Sequence, residues 1–148
     1  MKRGVDKSIQ RDKYRQKNRQ VVIIVDDEEW VHDLVRSSIA ACDLDDIISV
    51  HSFYPESFFE LIREVCDDTL IIFLDYDLKG SYGEEVMDLL EEYSMLSRNN
   101  IVVIAHSKNK KCNDLLVVKG ARYLLDKPCD PKDYQDAVEC WISIASET

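Results

Sequence analysis

Four short apolar runs in this chain stop on residues that could do chemistry. VVIIV (21–25) is followed by Asp26 and Asp27, and TLIIFL (69–74) by Asp75, with Asp77 two positions later. IVVIA (101–105) leads into His106 and Ser107, and YLL (123–125) into Asp126, Lys127 and Pro128. A carboxylate set against apolar residues is costly unless something pairs with it. Acids that converge in one crevice repel one another and raise one another's pKa. A hard divalent cation such as Mg²⁺ removes that conflict, because it takes oxygen ligands from one or two carboxylates and keeps waters for a phosphate. A lysine and a hydroxyl beside such a cation suit phosphoryl oxygens, the first as point charge and the second as hydrogen-bond donor.

The elements between these points alternate. VVIIV reads as a strand covered on both faces, and Trp30, Val31, Leu34, Val35 and Ile39 then recur at helical spacing. IISV (47–50) predicts a second strand, and YPESFFELIREV a helix with Pro55 in its first turn and Phe58, Leu61, Ile62 and Val65 on one stripe. TLIIFL is the third strand, 84–93 the third helix and IVVIA the fourth strand. A helix near 110–119 is closed by Gly120, YLL is the fifth strand, and the last helix opens at Asp130 and Pro131. That helix buries Tyr134, Ala137, Val138, Trp141, Ile142 and Ala145. Such alternation predicts an α/β, doubly wound, five-stranded parallel sheet with five helices. In that architecture ligands bind outside the C-terminal ends of the strands.

The residues at those ends resemble the receiver domain of two-component response regulators, over nearly all of 21–146. Asp26-Asp27 stand where that family keeps its metal-binding acids, and Asp75 matches its phosphoacceptor. Gly83, eight residues on, matches the glycine closing the loop after the acceptor. Lys127-Pro128 look like the family's Lys-Pro pair, whose peptide bond is usually cis, and Gly120-Ala121 like the pair before its last strand. The resemblance implies a flavodoxin-like sheet of order 2-1-3-4-5 and a Mg²⁺-dependent transfer of a phosphoryl group to Asp75. The donor would be a sensor histidine kinase or a histidine phosphotransfer protein. Asp26, Asp27, Asp75 and the backbone carbonyl of Asp77 would hold the metal, and Lys127 and Ser107 would bind the phosphoryl group. The domain would catalyse only its own phosphorylation and dephosphorylation, and would signal to a downstream protein through a surface around the fourth helix and fifth strand, with residues near Cys112 to Lys119, Tyr123 and Leu124.

The pattern departs from the family in three places. Counting back from Gly120 puts Ala105 where the family keeps a hydroxyl switch residue, and choosing Ser107 requires a loop two residues shorter. The family's aromatic position falls on Leu124, with Tyr123 one residue earlier and therefore on the opposite face. Leu78-Lys79 replaces the frequent Met-Pro. His106 reads as a hydrogen-bonded or exposed loop residue, and His32 and His51 show no partner pattern.

Composition narrows the classes. With 148 residues and 45% hydrophobic content the chain fits one globular domain, 21–148, and leaves no room for a DNA-binding output domain. Neither a membrane span nor a signal peptide is evident. The five scattered cysteines read as reduced, buried thiols of a cytoplasmic protein. Residues 1–20 hold eight Lys or Arg against two Asp, a net +6, whereas the rest carries 11 basic and 27 acidic side chains, or −16. An acidic body argues against nucleic acid as the main partner. The basic tail reads as a solvated leader, or as an arm for an acidic partner, RNA or the body itself.

Two other readings compete. A degenerate receiver would keep the fold and bind proteins without phosphorylation. Apolar residues followed by DxD also resemble the nucleophile motif of haloacid-dehalogenase-type phosphatases, with Asp75 attacking and Asp77 as general acid. Against that reading, 74 residues precede Asp75, where the motif is expected near the N-terminus.

Overall fold

The computed structural model describes residues 19–146. The basic tail expected over 1–20 lies outside the described residues except at its end. There Gln20 opens the first strand, and Arg19 bridges Asp46 and Asp68 at 3.7 and 3.4 Å.

The chain runs β1 (Gln20–Val25), α1 (Glu29–Ser38), β2 (Asp46–Val50), α2 (Pro55–Val65), β3 (Thr69–Leu74), β4 (Asp77–Leu78) and β5 (Ser81–Tyr82). It continues α3 (Gly83–Glu92), β6 (Ile101–Ala105), α4 (Lys110–Val118), β7 (Tyr123–Leu124) and α5 (Pro131–Ser146). Five strands form one parallel sheet in the order β2-β1-β3-β6-β7. This is the expected 2-1-3-4-5 order, with β4 and β5 set apart as a separate antiparallel hairpin.

Alternation along the strands builds two cores. Val21, Ile23, Val25, Leu70, Ile72, Leu74, Val103 and Ala105 face α2, α3 and α4, meeting Phe58, Ile62, Val86, Leu90 and Leu116. Val22, Ile24, Ile71, Phe73, Val102 and Ile104 face α1 and α5, meeting Val31, Val35, Ile39, Tyr134, Val138 and Trp141. With both faces covered, the central strands are apolar at every position after their first residues, Gln20 and Thr69. Each large side chain buried in this way contributes roughly 1.5–3 kcal/mol relative to exposure.

The helix ends follow their sequence signals. Gly120, at φ +125°, ends α4 in the left-handed region; its N–H donates to the Val117 carbonyl and that of Ala121 to Leu116. At the start of α5 the Asp133 carboxylate accepts from the Asp130 N–H at 3.2 Å. Trp30, at helical spacing with Val31, Leu34 and Val35, is 39% exposed, and its indole N–H donates to the Glu28 carboxylate at 2.7 Å. One expectation is corrected. The cysteines are free thiols but not core residues: four are half-buried and Cys140 is exposed. Among the described residues no helix is long and apolar enough to cross a membrane.

Candidate functional site

The sheet register places the site. Val25 pairs with Leu74, and Leu74 with Ala105, so the residues that follow these strands emerge level with one another. The ladder runs one step further, with the Asp75 N–H donating to the Val25 carbonyl at 3.0 Å and the His106 N–H to Leu74 at 2.8 Å. The Asp26 N–H donates to Val50 at 3.1 Å. Lys127 enters from the loop after β7. Its Nζ lies 2.7 Å from Asp26 Oδ2 and 3.0 Å from Asp75 Oδ2. Asp26, Asp75 and Lys127 are only 1%, 4% and 7% exposed. The other carboxylate oxygens are also engaged: Asp26 Oδ1 accepts from the Glu28 N–H at 2.9 Å, and Asp75 Oδ1 from the Tyr76 N–H at 2.8 Å.

One ammonium does not satisfy this group. Burial, and then the Asp26 charge, push the Asp75 carboxyl up to about 6, against the pull of Lys127 and the Tyr76 N–H. Asp26 is also raised, chiefly by burial, with Lys127 and the Glu28 N–H opposing. Burial pulls the Lys127 ammonium down, yet its two carboxylate partners outweigh that and hold it above the ordinary lysine value. Asp27, less buried, adds a third acid, and one oxygen from each of Asp26, Asp27 and Asp75 lies within 4.8 Å of the others. A cluster of hard oxygen donors with surplus negative charge fits a divalent cation of the Mg²⁺ kind.

A cavity of about 450 Å³ opens above these groups. Ser107 lines it together with Asp27, Asp75 and Lys127, whereas Ala105 lies within β6 and belongs to the core under α2, α3 and α4. The Ser107 hydroxyl accepts from the Asn109 N–H at 3.2 Å. Asp77 is exposed at the cavity wall, where it opens β4 opposite Tyr82 of β5. Gly83 is packed so tightly that a Cβ would stand 2.5 Å from the Asp75 carbonyl oxygen, and its N–H donates to Tyr76 at 2.6 Å. The Lys127–Pro128 peptide bond is cis. Tyr123 and Leu124 form the outer edge of the sheet, 43% and 44% exposed, and neither lines the cavity.

The structure places further residues around the site, among them Asn113, Glu28, Lys108 and Tyr76, which the sequence did not single out. Asn113 of α4 is buried; its Oδ1 accepts from the Ser107 N–H at 2.8 Å, and its Nδ2 donates to the Ser107 carbonyl at 3.1 Å. Glu28, Trp30 and Lys108 meet beside the cavity, with Lys108 Nζ 5.4 Å from the Trp30 ring centre. Tyr76 ties the loop after Asp75 to α3 by donating to Glu84 at 2.6 Å. His32 lies behind the acids, its Nε2 2.7 Å from the Asp26 carbonyl and its ring stacked on His51. His106 is buried rather than exposed and pairs with the Tyr134 hydroxyl at 2.7 Å. Burial, with Lys127 nearby, lowers it to about 3 and keeps the imidazole neutral.

No family model and no curated protein matches the sequence. Solved structures do. The signal receiver domain of a protein described as a Luxo repressor from Vibrio parahaemolyticus is 22% identical, with a TM-score of 0.71 over 87% of this chain and 94% of that one. A CheY-like response regulator receiver domain protein from Methanospirillum hungatei JF-1 is 13% identical, with a TM-score of 0.69 over 88% and 98%. The receiver domain of a Francisella response regulator is also 13% identical, with a TM-score of 0.66 over 84% and 97%. The chain has the fold of response regulator receiver domains.

Proposed function

We propose that this chain is a phosphorylation-switched receiver domain whose acceptor is Asp75. The observation that carries the reading is the buried group at the sheet's C-terminal edge, in which Lys127 Nζ bridges Asp26 and Asp75 at 2.7 and 3.0 Å. The donor would be a histidine kinase or a histidine phosphotransfer protein. A carboxylate oxygen of Asp75 attacks phosphorus, the P–N bond of the phosphoimidazole breaks, and the imidazole nitrogen keeps the electron pair and takes up a proton. The product is an acyl phosphate on Asp75.

Asp26, Asp27, Asp75 and the Asp77 backbone carbonyl would hold Mg²⁺, which when bound neutralises charge on the phosphoryl oxygens. Lys127 supplies a fixed positive charge that shifts from the Asp75 carboxylate to the transferred group. Ser107 donates its hydroxyl to a phosphoryl oxygen. Gly83 lets the acceptor loop sit against α3. The partner response would be a change of surface rather than turnover of a substrate, with signalling by protein–protein contact.

The test is intact-protein mass after incubation with acetyl phosphate and Mg²⁺, for the wild type and Asp75→Asn. One alkali-labile phosphoryl adduct, lost with EDTA and lost in the variant, is the expected result. A folded wild type that takes no adduct would favour the degenerate receiver, a fold kept for binding alone.

A further inference from the structure

Helix α4 is the least anchored helix around the site. Its nine residues bury only Asn113 and Leu116, one polar anchor and one apolar, while Leu115 and Val118 face outward. An element with so few buried contacts sits at the low end of local stability and can take a second position at small cost. The polar anchor is unusual in where its bonds go. Both ends of the Asn113 amide bind the main chain of Ser107, and Nδ2 also reaches the Leu125 carbonyl after β7 at 3.4 Å. The Ser107 hydroxyl meanwhile accepts from the N–H of Asn109, the residue that caps α4 through its bonds to Lys111 and Cys112.

A buried N–H and C=O cannot be left unpaired without a large cost. A Ser107 that moves within the cavity therefore either breaks two bonds to Asn113 or carries Asn113 with it. Since Leu116 is the only apolar anchor of the helix, the second course is the easier one.

We infer that Asn113 is the coupling residue of this domain, a side-chain clamp through which displacement of Ser107 is transmitted to α4 as a body. The inference rests on the reading of Asp75 and Ser107 as the phosphoryl site, and it deepens that reading by naming the path outward. It places the moving surface on the outward side of α4, at Leu115 and Val118, rather than on a buried aromatic in β7, where Tyr123 and Leu124 are both already exposed.

The test uses ¹⁵N-labelled full-length protein with Mg²⁺ and beryllofluoride, a stable mimic of the phosphoryl group, read by amide chemical shifts. In the wild type, amides near Asp75 and Lys127 and those of 110–118 shift together. In Asn113→Ala the first set still shifts, and the shifts over 110–118 fall at least threefold. Asn113→Asp is a near-isosteric second variant that keeps the acceptor and loses both donors; it reduces the α4 shifts at least twofold, and it keeps the test alive if the alanine variant does not fold. Full α4 shifts in either folded variant would overturn the inference. So would loss of beryllofluoride uptake in the variants, because Asn113 would then serve the site and not its coupling. A wild type with no response at all would overturn the reading of Asp75 itself, and the inference with it.

Discussion

The Lys127 ammonium stands 3.0 Å from the Asp75 carboxylate, inside a group where both side chains are nearly closed to solvent. One cation there answers two buried acids and a third nearby. Most of the testable behaviour of this chain follows from that imbalance.

Removing the cation isolates the acids. Lys127→Met leaves Asp26 and Asp75 facing each other without compensation, and breaking a buried pair in this way costs about 3–5 kcal/mol. Denaturant unfolding at pH 7 measures the loss. At pH 5 the loss is smaller, because Asp75, raised to about 6, is then mostly protonated.

The pH dependence of the metal-free protein follows with its sign. The folded value of Asp75, about 6, lies above the ordinary 3.8, so between these values the folded chain keeps a proton that the unfolded chain has released. Its contribution is fully present below about 4 and is lost as pH rises through about 6. Asp26, also raised, acts in the same direction. Asp75→Asn therefore stabilises the metal-free protein at pH 8 by on the order of 1–3 kcal/mol and flattens the curve between pH 4 and 8. Urea unfolding across that range in EDTA reads both effects.

On the proposed reading, Mg²⁺ would offset the same imbalance from outside. Thermal unfolding in EDTA and in rising Mg²⁺ shows Tm climbing with concentration, by an amount equivalent to about 2.7 kcal/mol at a hundredfold excess over Kd. Asp75→Asn, with one of the three clustered carboxylates gone, is expected to show at most a small part of that rise.

How much of this was legible beforehand divides along physical lines. The strands β1, β3 and β6 could be read because both of their faces are buried, which demands unbroken apolar runs, and the acids that end those runs stand out by contrast. The β4–β5 hairpin could not, because two-residue strands carry no period and Asp77 and Tyr82 stay exposed. Trp30 fitted a helical stripe by spacing, yet its N–H and the Lys108 cation hold it at the surface. Asn113 lies within KKCNDLL, where an asparagine looks like any solvated residue. Its amide binds two main-chain groups six residues back, brought to it by the local turn from β6 into α4. Counting along the sequence left Ser107 and Ala105 as alternatives, because only the folded loop shows that Ser107 stands at the cavity wall and Ala105 within the strand.

The glycine behind the loop after Asp75 has no room for a side chain. Gly83→Ala puts a methyl 2.5 Å from the Asp75 carbonyl oxygen and 3.1 Å from the Tyr76 Cα, both main-chain atoms that give way only if the loop moves. The expected cost is roughly 1–3 kcal/mol of stability. If Asp75 is the acceptor as proposed, acetyl-phosphate labelling, followed in time, slows in the same variant because the Asp75 carboxylate is displaced.

A stabilising substitution tests the structure apart from function. Ser94 closes α3 at φ +59°, where its N–H donates to Glu91 and the next N–H to Leu90, a geometry that usually takes glycine. Ser94→Gly relieves the left-handed strain and raises stability by about 0.5–1 kcal/mol, seen as a higher urea midpoint with an unchanged slope.

The central claim is that one carboxylate, Asp75, carries the phosphoryl group. The most direct measurement is borohydride reduction of the protein after acetyl phosphate and Mg²⁺ treatment, followed by peptide mapping. The acyl phosphate is reduced to an alcohol, so the account predicts homoserine in place of Asp75 and unmodified acids at 26, 27 and 77. Modification at one of those neighbours instead, or at none of the four in a protein that carries the adduct, would contradict it.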